Sequence, residues 1–199
     1  MTMNDLRAYF EDLAVRWDSL QAPDREERLR RLLVPFAPVL EASTAILELG
    51  TGTGALIPCL RERAPGACVV SVDLAGEMLR RARRRCPDAA VVQADAHRLP
   101  FATPRFDVVV CHNCFPHLAD KVAALRGLAR ALWPGGYLLI LHDLSRARVN
   151  AIHGGGGPAI QDDLLPPGEE TRRMLERAGF VDVLVEDTDQ RYIVAGRQA

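Results

Sequence analysis

This chain predicts an α/β fold with a largely parallel sheet covered by helices on both faces, and three observations carry that prediction. Short runs rich in valine, isoleucine and leucine alternate with stretches of helical periodicity from residue 46 onward, a pattern that calls for parallel strands joined by right-handed crossovers. The first run passes from Glu48 straight into Gly50-Thr51-Gly52-Thr53-Gly54, a tight strand-to-helix turn. Finally, 199 residues, nearly half of them hydrophobic, suffice for one domain around a sheet buried on two sides.

Residues 4–18 place Leu6, Tyr9, Phe10, Leu13, Ala14 and Trp17 at helical spacing, giving an amphipathic helix. A second helix is expected over residues 25–40, after Pro23. Strand one ends at the glycine turn, where positive φ and close ligand approach both favour a residue without a Cβ. Leu56, Ile57 and Leu60 open the next helix, whose exposed N–H groups favour polar or anionic groups. Residues 69–73 form strand two and end in Asp73, 19 residues after Gly54. An acid there is placed to accept both ribose hydroxyls of a nucleoside. The helix after it begins near Ala75 and puts Met78 one turn in, where a thioether can rest on an adenine face. Residues 91–96 close strand three; Asp95 reads either as a helix cap or as a hydrogen-bond acceptor for the ligand. Residues 106–111 are strand four, and Trp133-Pro134-Gly135-Gly136 turns into strand five over residues 137–141. A helix over residues 169–178 stops at Gly179, and residues 181–185 and 192–195 pair antiparallel at the sheet edge.

Details of the turn favour one nucleoside ligand. Dinucleotide sites usually read G-x-G-x-x-G and lead a pyrophosphate onto the helix. Here the glycines alternate, and the Glu48 carboxylate would repel a pyrophosphate but suit an ammonium group. This E-x-G-x-G-x-G form resembles the class I S-adenosylmethionine-dependent methyltransferases, which disfavours a nicotinamide oxidoreductase. Ala94-Asp95-Ala96-x-x-Leu99-Pro100-Phe101 resembles that family's adenine segment, Pro134-Gly135-Gly136 its strand-five turn, and Tyr9-Phe10-x-x-Leu13-Ala14-x-x-Trp17-Asp18 the opening segment of its quinone-biosynthesis branch. The resemblance runs from about Tyr9 to about Arg197. It implies a Rossmann-like three-layer sandwich with a seven-stranded sheet of order 3-2-1-4-5-7-6 and one antiparallel edge strand. It implies a single methyltransferase domain over residues 1–199, with residues 1–43 a helical lid (or plain packing) and 44–199 the cofactor-binding core. S-adenosyl-L-methionine and its product S-adenosyl-L-homocysteine are the expected ligands. Glu48, Gly50, Thr51, Gly52 and Gly54 are expected at the methionine end, with Asp73 and Leu74 at the ribose. Met78, Asp95 and Ala96 are expected at the adenine, and Cys111 through its carbonyl at the cofactor's amino group.

Acceptor chemistry is expected beyond the carboxyl ends of strands four and five, where strand order reverses. Methyl transfer is an in-line displacement needing an aligned acceptor, with a base only when the acceptor must lose a proton. Four of the five histidines lie there: His112, His117, His142 and His153. Three readings stay open: local structure, above all for His117; acceptor binding and general-base work by His142 and His112 with His153; or a metal site with Cys111, Cys114 or Asp143. Cys111-x-x-Cys114 also has the spacing of a redox pair, though the glycine motif belongs to another fold. Cys59, Cys68 and Cys86 read as buried small residues. Ser145 reads as a helix cap; Arg146 or Arg148 could meet an anionic acceptor group or simply face solvent. The glycines at 154–157 form a flexible connection.

Composition narrows the partners. A net charge of −1 points to neither nucleic acid nor an anionic membrane surface. The arginines at 80–85 read as a solvated helix face, because Leu79 and Ala82 give that helix a buried side. No secretory signal or membrane-length run is visible, and five cysteines without a framework fit a reducing cytoplasm. The expectation is therefore a cytoplasmic methyltransferase acting on a small molecule, with room for a homodimer; the alternative is a non-catalytic sensor or assembly factor that only binds the cofactor.

Overall fold

The computed structural model describes residues 2–101 and 104–199, so Met1, part of the expected lid, lies outside the described residues. Seven strands, β1 (Ala45–Leu49), β2 (Cys68–Asp73), β3 (Ala90–Gln93), β4 (Phe106–His112), β5 (Leu132–His142), β6 (Phe180–Asp187) and β7 (Tyr192–Gln198), form one sheet. Its order is β3-β2-β1-β4-β5-β7-β6, as expected. The first five run parallel, and β7 runs antiparallel to both β5 and β6.

Both faces are covered, which is why the central strands read as unbroken apolar runs. Leu47, Leu49, Val109 and Cys111 point into a core with α6 (Lys121–Ala131) and α8 (Gly168–Arg177). Ile46, Val108, Val110, Leu139 and Leu141 point to the other face, under α2 (Arg25–Leu33), α3 (Ala37–Glu41) and α4 (Leu56–Arg63). Each such buried Leu, Ile or Val contributes roughly 1.5–3 kcal/mol. α5 (Gly76–Arg85) buries Met78, Leu79 and Ala82, so the arginine run does sit on a helix with a solvated side.

Several expected elements differ in detail. The first helix, α1 (Met3–Leu13), ends early and a 3-10 turn (Trp17–Leu20) follows. There the Asp18 carboxylate accepts from the Thr53 hydroxyl at 2.6 Å and pairs with Arg85 at 3.0 Å and Arg25 at 3.3 Å, drawing the chain off the helical path. The expected helix over 25–40 is broken by a 3-10 turn (Val34–Phe36), where Pro35 removes a donor and Pro38 opens α3. β5 starts at Leu132 because the Pro-Gly-Gly turn lies within it as an irregularity opposite β4, with Gly135 at φ +83°. In β6, Asp182 at φ +53° makes a bulge, so Val181 faces solvent while Val183 and Val185 pack inward. Cys68, expected to be buried, is exposed at the start of β2.

Candidate active site

Glycine is required at the turn. Gly50, Gly52 and Gly54 all have positive φ. A Cβ on Gly50 would stand 2.6 Å from the Cys114 Cβ and Sγ, and one on Gly54 would stand 3.0 Å from the Ala82 backbone. Gly54 is thus the packing glycine that brings the turn onto α5, and it does not line the cleft; only Gly50 and Gly52 do.

Two acids hold this turn. The Asp73 carboxylate accepts from the Gly52 N–H at 2.8 Å and the Ala75 N–H at 2.9 Å, which leaves lone pairs facing the cleft it lines. Burial raises its pKa against those backbone donors. Glu48 lies elsewhere than expected. Its side chain is 2% exposed, beneath the turn, where it accepts from the Ser71 hydroxyl at 2.6 Å and the Thr51 hydroxyl at 2.9 Å. Neither Glu48 nor Thr51 reaches the cleft wall, so both shape the turn from behind. Burial outweighs those two hydrogen bonds and lifts the Glu48 carboxyl to about 7.

The cleft they border has Leu49, Val72, Leu74 and Met78 as apolar walls and Asp95, Ala96 and His97 at one end. Asp95 serves as cap and as cleft residue together, accepting from the His97 N–H at 2.8 Å while its carboxylate meets His97 Nδ1 at 2.8 Å. Met3, Leu6, Phe10 and Trp17 lie over the cleft and leave it about 100 Å³, below the roughly 300–1,000 Å³ of small-molecule pockets. The Trp17 indole N–H is buried there without a partner. An acid on the ribose strand, apolar walls and a side-chain-free glycine edge fit a nucleoside.

A second, larger cavity of about 620 Å³ adjoins the first, and Phe10, Trp17, Asn113 and His117 line both. His117, His142 and His153 line it; His112 does not. His112 stands behind, with Nε2 3.6 Å from Asp143, too far for a hydrogen bond. Asp143 is held below the usual carboxylate range: burial opposes this, but His112, Asn113 at 2.9 Å and Arg28 at 2.7 Å prevail.

The three cavity histidines differ. His117 Nδ1 meets the Asp163 carboxylate at 2.7 Å, a partner that orients the ring. His153 Nδ1 donates to the Asp163 carbonyl at 2.5 Å, and the His117 and His153 rings lie 4.7 Å apart. Burial lowers the His153 pKa against that carbonyl. His142 is 1% exposed with no partner on either ring nitrogen. Burial first, then the like charges of His112 and His117, bring its pKa down to about 3. It is a weak base and a neutral hydrogen-bonding group. The expected general-base role for His142 and His112 is thus corrected by burial in one and placement in the other.

Cys111 is fully buried on the sheet, and Asn113 and Cys114 line the cleft beside it. The Cys114 thiol is raised by its hydrogen bond with Cys111 and by burial, and both thiols are free; an inert pair of this kind does not fit redox work. No group of three or more His, Cys, Asp or Glu side chains among the described residues is placed to hold a metal ion. Ser145 caps α7 (Arg146–Gly154), accepting from the Arg148 N–H at 3.3 Å. Arg146 pairs with Asp187 at 2.9 Å, whereas Arg148 lines the second cavity. Sequence reasoning missed Asp163, Asn113, Arg16, Arg25 and Arg28 as site residues.

The Methyltransferase domain family matches residues 47–140. The chain is 41% identical over 139 residues to a demethylmenaquinone methyltransferase of Thermus thermophilus, covering 66% of this chain and 63% of that one. It is 34% identical over 198 residues to a malonyl-[acyl-carrier protein] O-methyltransferase of Geobacter sulfurreducens, covering 93% of this chain and 73% of that one. The chain thus spans less than two thirds of the Thermus protein. Among solved structures, Phospholethanolamine N-methyltransferase 2 of Haemonchus contortus, in complex with phosphomonomethylethanolamine and S-adenosylhomocysteine, shares the fold. The TM-score is 0.75 at 20% identity, over 97% of this chain and 60% of that one.

Proposed function

The chain belongs to the class I S-adenosylmethionine-dependent methyltransferases, and from that premise we propose that it transfers a methyl group to a small-molecule acceptor. The carrying observation is the junction of the two cavities at Phe10, Trp17, Asn113 and His117. The lining of the first cavity suits the cofactor once the N-terminal side chains over it move aside: Asp73 for the ribose, Asp95, Ala96 and Met78 for the adenine, and Gly50 and Gly52 for the methionine end. When bound there, S-adenosylmethionine supplies an electrophilic methyl group. The chain's own part is to orient the acceptor in the second cavity and exclude water from the junction. His117, held by Asp163, is the group placed to take a proton if the acceptor must lose one. Residues 1–43 act in this reading as a lid, since Met3, Leu6, Phe10 and Trp17 line the first cavity and Tyr9, Leu13 and Leu20 the second.

The relatives named above include quinone and malonyl-[acyl-carrier protein] methyltransferases, and the opening segment favours a quinone-type carbon acceptor while the histidine-rich cavity departs from it. The same reading places the protein in the cytoplasm, off nucleic acid, alone or as a homodimer. Among the described residues no helix is long and apolar enough to cross a membrane. S-adenosylhomocysteine release against a panel of acceptors tests the proposal. Acceptor-dependent release that falls at least tenfold in His117→Ala supports it; cofactor binding with no turnover on any acceptor would favour the sensor reading instead.

A further inference from the structure

Four arginines line the second cavity: Arg16, Arg25, Arg28 and Arg148. Two are already paired, Arg28 with Asp143 at 2.7 Å and Arg25 with Asp18 at 3.3 Å, a carboxylate it shares with Arg85. Arg16 and Arg148 make no ion pair among the described residues; the nearby Arg146 does, with Asp187. Asp143 is the one acid among the lining residues. The cavity wall therefore carries uncompensated positive charge in a recess, where field lines are focused. His142 faces the same space with both ring nitrogens unpartnered. Because it is neutral, it offers one N–H and one lone pair. The rest of the wall is largely apolar, with Leu13, Leu144, Val149 and Ile152.

We propose that the second cavity takes a carboxylate group carried on an apolar body, gripped by Arg148 and Arg16, with His142 donating to it. Guanidinium forks match a planar carboxylate in two bonds at once. A phosphate dianion shares the anionic chemistry but is held in more hydration than this half-apolar recess can replace. The orphaned imidazole explains why a buried polar residue stands at this position: its partner arrives with the ligand. As a statement about the methyl acceptor, this rests on the methyltransferase reading; as a statement about binding, it stands alone.

The test is calorimetric titration of the full chain with hexanoate, hexanamide and hexyl phosphate, with and without saturating S-adenosylhomocysteine. Hexanoate is expected to bind at least tenfold more tightly than either other probe and to weaken as salt rises. Arg148→Gln and Arg16→Gln, both at exposed positions, should each lower hexanoate affinity roughly tenfold. Arg31→Gln, an equal charge change on an exposed residue outside the cavity, should leave it unchanged. Equal affinity for hexanamide, tighter binding of hexyl phosphate, or indifference to Arg148→Gln and Arg16→Gln would each overturn the inference. Failure of S-adenosylhomocysteine to bind, with hexanoate still preferred, would instead count against the methyltransferase reading alone.

Discussion

His142 costs stability where it stands, since a buried polar group without a partner loses its hydration for nothing in return. His142→Leu is therefore expected to hold or raise stability by about 1–2 kcal/mol in urea unfolding while acceptor-dependent turnover falls. Marked destabilisation with turnover intact would show that the ring is only packing. Glu48 makes a pH-dependent prediction. Its carboxyl titrates near 7 in the fold against 4.5 in an exposed chain. The folded state holds that proton more tightly, so the stability it contributes is full below 4.5 and lost as pH rises through 7. The amount is roughly 3 kcal/mol. Glu48→Gln carries no charge at either extreme, so it should match the wild type near pH 4.5 and exceed its stability by about that order at pH 8. A pH-independent difference between the two proteins would contradict the burial of that acid.

At the scale of elements, the turn after β1 depends on backbone that only glycine adopts easily. Gly54→Ala combines a positive φ with a Cβ pressed on α5, and should cost about 1–3 kcal/mol in thermal or chemical unfolding. Stability within 0.5 kcal/mol of wild type, about the scale of a neutral surface change, would mean the turn relaxes freely. The strands, their order and this turn were legible in the sequence because apolar runs, glycine spacing and a terminal acid are local signals. Element ends were less so: the early stop of α1 and the Asp182 bulge in β6 come from contacts the local pattern does not contain. Glu48 shows the same boundary, for its position in the strand was readable while its choice of Ser71 over the cleft was not.

Across the whole molecule, the N-terminal segment is fastened to the cofactor side by acids. The Glu11 carboxylate accepts from the Gly76 and Glu77 N–H groups at 2.8 and 2.6 Å, capping α5 from outside, and Asp18 ties Thr53, Arg85 and Arg25. Asp18→Ala should increase hydrogen exchange over residues 2–22 and weaken S-adenosylhomocysteine binding several-fold; unchanged exchange would mean that packing alone holds the segment. The proposed acceptor side was the least legible part of the chain. His117 meets Asp163 across 46 positions, and the cavity arginines come from the 3-10 turn region, α2 and α7. Such convergence follows from the topology, and no spacing in the sequence announces it.

The proposed cofactor site rests on Asp73 and its neighbours gripping an adenosine group beneath the N-terminal segment. Calorimetry of S-adenosylhomocysteine against the wild type and Asp73→Ala measures this directly. Saturable one-site binding that falls at least tenfold in Asp73→Ala is the expected result. No binding to the wild type, or equal affinity in the variant, would contradict it.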